Sequence, residues 1–268
     1  MTLNLAIAGA AGRMGSALIL AARSDARFDV VGGTDRAGSA LVGTDLSLLN
    51  GKVPSGHIIS DTVDAACAQA DVWIDFTSPD ATLAALSALK PAQVKAVIIG
   101  TTGFDADQIE AIKTASDHFA IVQSGNFSLG VNLVAGLVRQ AAARLGPDWD
   151  IEILESHHRH KVDAPSGTAL MLGHAAAAGR GVDHNQVAKL ARHGQVGPRT
   201  AGDLGYAVIR AGGIIGDHEV MFASEDEIVT IAHKAVSRTI FAKGALEAAA
   251  WASTKKPGLY TMGDVLDF

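Results

Sequence analysis

"LNLAIAGAAGRMG", residues 3–15, decides how the N-terminal half of this chain reads. Residues 3–9 form a short apolar run that stops at glycine. Residues 12–23 follow with Met14, Leu18 and several alanines at helical spacing, so the stretch predicts strand, tight turn and helix. Glycines stand at 9, 12 and 15. Gly9 lets the chain leave the strand sharply, Gly12 has no side chain to keep a pyrophosphate from the backbone, and Gly15 allows close helix packing. N–H groups at the start of such a helix face phosphates, helped by the helix dipole. The glycine pattern alone fits equally well a turn kept tight for steric reasons. Asp35 adds a second indication, because it closes the next apolar run, where an acid accepts hydrogen bonds from the adenosine ribose hydroxyls. The expected ligand is a dinucleotide. Asp35 disfavours a 2′-phosphate whereas Arg36 and Arg13 could pair with one, so NADH and NADPH both stay open.

Working outward, β-rich runs recur at 28–35, 57–60, 71–76, 95–100 and 119–124, and helical candidates at 62–70, 79–89 and 105–117 separate most of them. Short strands linked by helices predict an α/β fold with a Rossmann-like, doubly wound parallel sheet. "GTTGF" (100–104) and "SGNFSLG" (124–130) each follow a strand. Both would emerge at the carboxyl edge of the sheet, as walls for ribose and nicotinamide or merely as small-residue connections. Residues 36–56 read as a long, glycine-dotted loop.

At 268 residues, 48% hydrophobic and 19% charged, the chain suits two modest compact domains. A net charge of -6 argues against general nucleic-acid affinity, so any anionic ligand must be met locally. No apolar run approaches the roughly eighteen residues of a membrane span, and the first residues lack a secretory signal, which predicts a cytoplasmic protein with no membrane partner. Cys67, the single cysteine, cannot form an internal disulfide and reads as a buried structural thiol.

The second informative stretch is "ESHHRHKVDAPSGTAL", residues 155–170, with three histidines, an arginine and a lysine in five consecutive positions. It comes after a strongly amphipathic helix at 131–146 and begins as a strand from 150. If that strand continued, His157, Arg159 and Lys161 would share one face, with His158 and His160 on the other. A zinc site would need convergent ligands, yet there is no second cysteine and no HExxH pattern, so no metal is expected. The residues after Lys161 favour an anion instead. Pro165 suits the start of a helix, Ser166 and Thr168 can cap it, and alanine-rich helical sequence comes next. N–H groups of Gly167 and Thr168, the hydroxyls of Ser166 and Thr168, and the charge of His158 and Lys161 would suit the carboxylate of a small acid. His157 and Lys161 are the candidates for proton transfer. The histidines at 174, 184, 193, 218 and 233 are read as surface or structural. Residues 205–235 offer three strands in hairpin-like antiparallel order, and 238–252 a further helix. On residues alone, a different nicotinamide dehydrogenase or a non-enzymatic dinucleotide sensor remains open. The first leaves "HHRHK" with "DAPSGT" unexplained, and the second leaves the proton donors without a task.

These residues resemble the 4-hydroxy-tetrahydrodipicolinate reductase (dihydrodipicolinate reductase) family. The likeness runs through "AIAGAAGRMG", "VIIGTTGF", "SGNFSLGVN", "ESHHRHKVDAPSGTA", "VIRAGGIIGDHEVMF" and the terminal "GDVLDF", which together sample nearly the whole chain. The resemblance implies a dinucleotide-binding Rossmann-like domain of residues 1–127 and 238–268, and a smaller α+β substrate-binding and oligomerisation domain of residues 128–237 in a homotetramer. It implies NADH or NADPH as cofactor, a small cyclic dicarboxylate as substrate, and a place in the diaminopimelate route to lysine. By the same likeness, Gly9, Ala10, Ala11, Gly12, Arg13, Met14, Asp35, Arg36, Gly100, Thr101, Thr102, Ser124, Gly125, Asn126 and Phe127 hold the dinucleotide. His157 is then the acid/base, Lys161 the proton donor, and His158, Lys161, Ser166, Gly167 and Thr168 the substrate contacts. Ala11 stands where many relatives have glycine, and Asp35 where glutamate is common.

Overall fold

Strand and helix alternate from the first residues of the computed structural model, which describes residues 2–50 and 54–268. Met1 and residues 51–53, part of the loop expected at 36–56, lie outside the described residues. The chain opens with β1 (Leu3–Ile7), α1 (Arg13–Ala22), β2 (Phe28–Thr34), β3 (Ile59–Ser60), α2 (Val63–Ala66), β4 (Val72–Asp75), α3 (Pro79–Ala88), β5 (Ala96–Ile99), α4 (Ala106–Ala115) and β6 (Ala120–Gln123). Every residue of β4 and β5 is buried, the mark of strands covered on both faces. A second set follows: α5 (Leu129–Arg144), β7 (Asp150–His157), α6 (Gly167–Arg180), α7 (His184–Val187), β8 (Ala188–Lys189), β9 (Leu204–Arg210), β10 (Asp217–Ala223) and β11 (Ile228–Lys234). The chain then returns to the first set with α8 (Thr239–Ala252), β12 (Gly258–Tyr260) and α9 (Met262–Val265).

By contacts it divides into two compact units: residues up to Ser128 with Thr239–Asp267, and Leu129–Arg238 with Phe268. Ser128, Arg238 and Phe268 thus fall on the other side of the sequence-based division. Phe268 groups with the second unit because its ring lies over Gly136, where an added Cβ would come within 2.7 Å of Cδ1.

Among the described residues the first unit holds a seven-stranded sheet in the order β12-β6-β5-β4-β1-β2-β3, every neighbouring pair parallel. The chain runs one way from β1 to β3 and the other way from β4 to β6, so its direction reverses between β1 and β4. Ligands of open α/β sheets bind at the carboxyl ends of the strands beside such a reversal. The turn after β1 and the loops after β4, β5 and β6 all lie on that edge. α8 packs on α1 and on β4, β5 and β6. β12, a three-residue edge strand paired with β6, was not foreseen. The helix expected at 62–70 stops at Ala66.

The second unit has a mixed sheet ordered β11-β10-β7-β9-β8. Ile151, Ile153, Val220 and Phe222 on its inner face meet Val134, Val138, Leu172 and Ala176 of α5 and α6 in one buried cluster. One expectation fails here. β10 and β11 form the antiparallel hairpin, but β9 pairs parallel with β7, which inserts between β9 and β10. "GGIIGD" is therefore a crossover and not a hairpin turn.

Candidate active site

In the first unit the turn after β1 is built as its glycines require. Gly9 has φ +58°, the left-handed region that favours glycine. A Cβ on Gly15 would stand 2.3 Å from the Gly9 carbonyl oxygen and 2.6 Å from that of Ala10, so the close approach Gly15 permits is to the turn's own backbone. Gly12 is the N-cap of α1, is exposed, and supplies no side-chain cap. The first N–H groups of α1 are thus left to an external acceptor, the condition for phosphate binding. Ala10 is buried, Ala11 and Met14 are half-buried, and Arg13 is exposed.

Beside this turn lies a cavity of about 330 Å³, lined among others by Gly9, Thr34, Asp35, Arg36, Asp75 and Thr77. Asp35 follows β2 directly, and its carboxylate accepts from the Arg36 N–H (2.8 Å) and the Ser39 hydroxyl (2.7 Å), which fixes its direction. Arg36 is exposed. The loops after β5 and β6 are more structural than their sequence suggested. Thr101 is 5% exposed, with its hydroxyl between Thr82 (3.0 Å) and Asp75 (3.3 Å). Phe127 is buried against Phe76, ring centroids 5.4 Å apart. Phe76 also fills the space beside Gly100, where a Cβ would lie 2.0 Å from the ring. Thr102 and Gly125 are exposed, and Ser124 bonds the Asn126 carbonyl (2.8 Å). Ligand contact from Gly100 and Thr101 would thus come through backbone. Glycine turn, uncapped helix start, acid and cavity together fit a dinucleotide.

In the second unit β7 alternates strictly between buried and half-buried positions, with Ile151, Ile153, Glu155 and His157 on the buried face. The strand ends at His157. The chain then curls, with Lys161 N–H on the His158 carbonyl (3.1 Å), so the alternating faces expected for Arg159 to Lys161 do not form. The turn presents Lys161 next to Asp163, its Nζ 2.7 and 2.8 Å from the two carboxylate oxygens. That ion pair holds the Asp163 carboxyl below its usual range. Desolvation, followed by Arg238 and His160, lowers the pKa of His158, which favours its neutral ring.

Ser166 caps α6 by accepting from the Ala169 N–H (3.2 Å), and its oxygen also meets His218 Nε2 (3.0 Å). It is 2% exposed, so this hydroxyl is engaged internally, unlike the open ligand donor the sequence suggested. Gly167 and Thr168 open the helix, and a Cβ on Gly167 would meet nothing within 4 Å. Space therefore stands beside Gly167, the first residue of the helix.

Sequence reasoning missed the residues that hold this loop. Glu155 is 1% exposed, and its carboxylate accepts from both terminal nitrogens of Arg210 (2.7 and 2.8 Å), from His157 Nδ1 (2.6 Å) and from the Ser166 N–H (2.9 Å). Burial alone would raise its pKa, but the bonds from Arg210, His157 and Ser166 outweigh burial and lower it. Glu155 is consequently ionised, and Nδ1 of His157 is the donor. Arg210 also donates to the Asp163 carbonyl (2.7 Å). His218, read from sequence as surface or structural, lies edge-on to His157 at 5.0 Å, and burial, aided by His157, draws its pKa down to about 4. Among the described residues, no group of three or more His, Cys, Asp or Glu is arranged to hold a metal ion.

Comparison with known proteins gives a consistent picture. The family model described as "Dihydrodipicolinate reductase, N-terminus" matches residues 3–127, and that described as "Dihydrodipicolinate reductase, C-terminus" matches residues 130–266. The 4-hydroxy-tetrahydrodipicolinate reductase of Parvibaculum lavamentivorans is 51% identical over 98% of this chain and 97% of its own. That of Rhizobium rhizogenes is 49% identical over 98% and 96%. Among solved structures, a dipicolinate-bound dihydrodipicolinate reductase from Paenisporosarcina sp. TG-14 superposes with TM-score 0.77 at 22% identity, covering 97% of this chain and 98% of that one. An amine dehydrogenase from Mycobacterium smegmatis shares the fold at TM-score 0.64 and 12% identity, over 98% and 95% of the two chains.

Proposed function

The chain belongs to the dihydrodipicolinate reductase family, and from that premise we propose that it reduces 4-hydroxy-tetrahydrodipicolinate to tetrahydrodipicolinate with NADH or NADPH, in the diaminopimelate route to lysine. The observation that most supports this reading is local to the second unit: Lys161, His157 and the open first turn of α6 belong to one loop clamped by Glu155 and Arg210. A proton source and an anion site on one short segment suit a ring that carries two carboxylates.

The bound nicotinamide supplies the hydride. The N–H groups of Gly167 and Thr168, near the positive end of the helix dipole, hold a substrate carboxylate. Lys161 leaves Asp163 for the substrate and donates a proton from Nζ as negative charge develops on the ring. His157, with Nδ1 tied to Glu155, presents Nε2 for acid/base work. In the first unit the turn from Gly9 to Met14 at the start of α1 would hold the pyrophosphate and Asp35 the adenosine ribose. The loops at Gly100–Thr102 and Ser124–Phe127 would hold the remainder of the cofactor. The first unit is thus the dinucleotide-binding domain, and the second the substrate-binding and oligomerisation domain of a cytoplasmic homotetramer. Exposed Ile209 (52%) on β9 and Ile228 (62%) on β11 are consistent with association through this sheet. Among the described residues no helix is long and apolar enough to cross a membrane.

The test is NAD(P)H absorbance with enzymatically generated 4-hydroxy-tetrahydrodipicolinate, with and without pyridine-2,6-dicarboxylate, a planar analogue of the ring diacid. Oxidation that the analogue suppresses is the expected result. Oxidation only of unrelated carbonyl substrates would point to another dehydrogenase, and binding without turnover to a sensor. Two variants extend it. Gly167→Ala places a methyl in open space, so the thermal midpoint should stay unchanged while KM for the diacid rises about tenfold or more. Asp35→Ser removes the fixed carboxylate facing the cavity and leaves Arg36. The ratio of kcat/KM for NADPH to that for NADH should rise by about tenfold, read from initial rates with each cofactor.

A further inference from the structure

On β7 the period-two pattern that sends Ile151 and Ile153 into the core sends Glu155 and His157 the same way, so a carboxylate and an imidazole share the buried face two residues apart. Four donors converge on that carboxylate: two from Arg210, one from Ser166 and one from His157. The other edge of the imidazole is shaped as well. A Cβ on Gly216 would fall 3.0 Å from His157 Nε2 and 3.4 Å from its Cδ2, so only glycine leaves that nitrogen room, while His218 closes the flank of the ring.

We propose that Glu155 is a positioning residue for His157, with Arg210 and Gly216 completing its seat: the carboxylate accepts a hydrogen bond from the Nδ1 N–H, and Nε2 is thereby fixed as the nitrogen turned to the reaction. A histidine whose second nitrogen is held by a carboxylate keeps one tautomer and one ring orientation, as second partners do for catalytic imidazoles in general. The bidentate guanidinium fork keeps the carboxylate itself from rotating. Arg210 also grips the Asp163 carbonyl, so the same ion pair ties the ring to the loop bearing Lys161. Ser166 N–H on Glu155 ties it to the start of α6. Proton transfer and anion binding then share one anchor.

The proposal rests on the reading of His157 as acid/base, and its test separates the two. Glu155→Gln keeps the volume but turns an amide N–H₂ toward Nδ1, forcing the proton onto Nε2. We expect kcat to fall on the order of a hundredfold, with KM changed by less than about threefold. With ¹⁵N-histidine labelling at about pH 8, long-range ¹H–¹⁵N correlation should show the Nδ1–H form of His157 in the unaltered protein and the Nε2–H form in the variant. His157→Gln is measured alongside. If His157→Gln loses activity while Glu155→Gln keeps kcat within about twofold and His157 keeps its Nδ1 proton, the positioning role is wrong and the acid/base reading stands. If His157→Gln keeps full activity, the acid/base reading itself falls, and the role of Glu155 with it. Should Glu155→Gln fail to fold, Gly216→Ala changes neither Glu155 nor any residue bonded to it, and its methyl comes closest to Nε2 of His157. It should lower kcat about tenfold, and an unchanged kcat overturns the proposal.

Discussion

Lys161→Ala should lower kcat by about a thousandfold, because positioned proton donors contribute roughly 10²–10⁴ in rate. Lys161 side-chain exposure is 20%, and its partner Asp163, at 54%, sits largely in solvent. A surface ion pair of this kind contributes at most about 1 kcal/mol to folding. No other hydrogen bond of Nζ is evident among the described residues, so truncation removes the chemistry and the charge together with the packing of a largely covered stem. Steady-state kinetics with saturating cofactor reads kcat, and thermal unfolding reads stability. A variant that turns over within about twofold of the unaltered enzyme would take the lysine out of the reaction.

Arg210→Met should have the largest effect on stability. Glu155 is wholly buried as a side chain and Arg210 is 20% exposed, so methionine leaves a carboxylate inside the protein without its bidentate partner. Removing one member of such a pair costs about 3–5 kcal/mol, and the partial exposure of Arg210 places this case near 3 kcal/mol. The sign with pH follows from the ion pair. In the unaltered protein the pKa of Glu155 lies below its ordinary value. Its stabilisation is therefore fully present above the unfolded-state value, about 4.3, and is lost as pH falls through the folded-state value. Without Arg210 the bonds that oppose burial are fewer, so burial shifts that pKa upward from its value in the unaltered protein. Urea unfolding should show the deficit of the variant largest at neutral pH and shrinking below about pH 4. A deficit of the same size at both pH values would mean that lost packing of the arginine stem, and not an unpaired carboxylate, is responsible.

Residues 3–35 were legible because a strand period and a helix period meet there at glycines, the residues a tight turn needs, and Asp35 closes the unit. β5 was legible for a related reason, since a strand buried on both faces shows as an unbroken apolar run, and β4 reads the same way up to Asp75. Pairing partners were not legible. β9 and β10 carry the composition of a hairpin, yet β7 slips between them, and that choice rests on pairings between residues far apart in sequence, such as Ile151 with Leu204 and Ile151 with Phe222. β12 is too short for any period to register. In the second unit, the histidine-rich turn and the cap at Ser166 were visible as residue types at helix-start positions. Glu155 was visible in principle, since it shares parity with Ile151 and Ile153, and an acid on a buried strand face requires a partner. That the partner is Arg210 no local pattern could show. His218 was hidden for the same reason: it reaches the site across the sheet from β10, where its neighbours in sequence give no sign of Ser166 or His157.

A crystal structure with reduced cofactor and pyridine-2,6-dicarboxylate bears most directly on whether the segment from His157 to Thr168 takes hold of a ring diacid. One carboxylate of the analogue should lie within about 3 Å of the Gly167 and Thr168 amides, with Lys161 Nζ withdrawn from Asp163 toward the ring. A diacid bound elsewhere, or a Lys161 still paired with Asp163 beside an empty helix start, would contradict it.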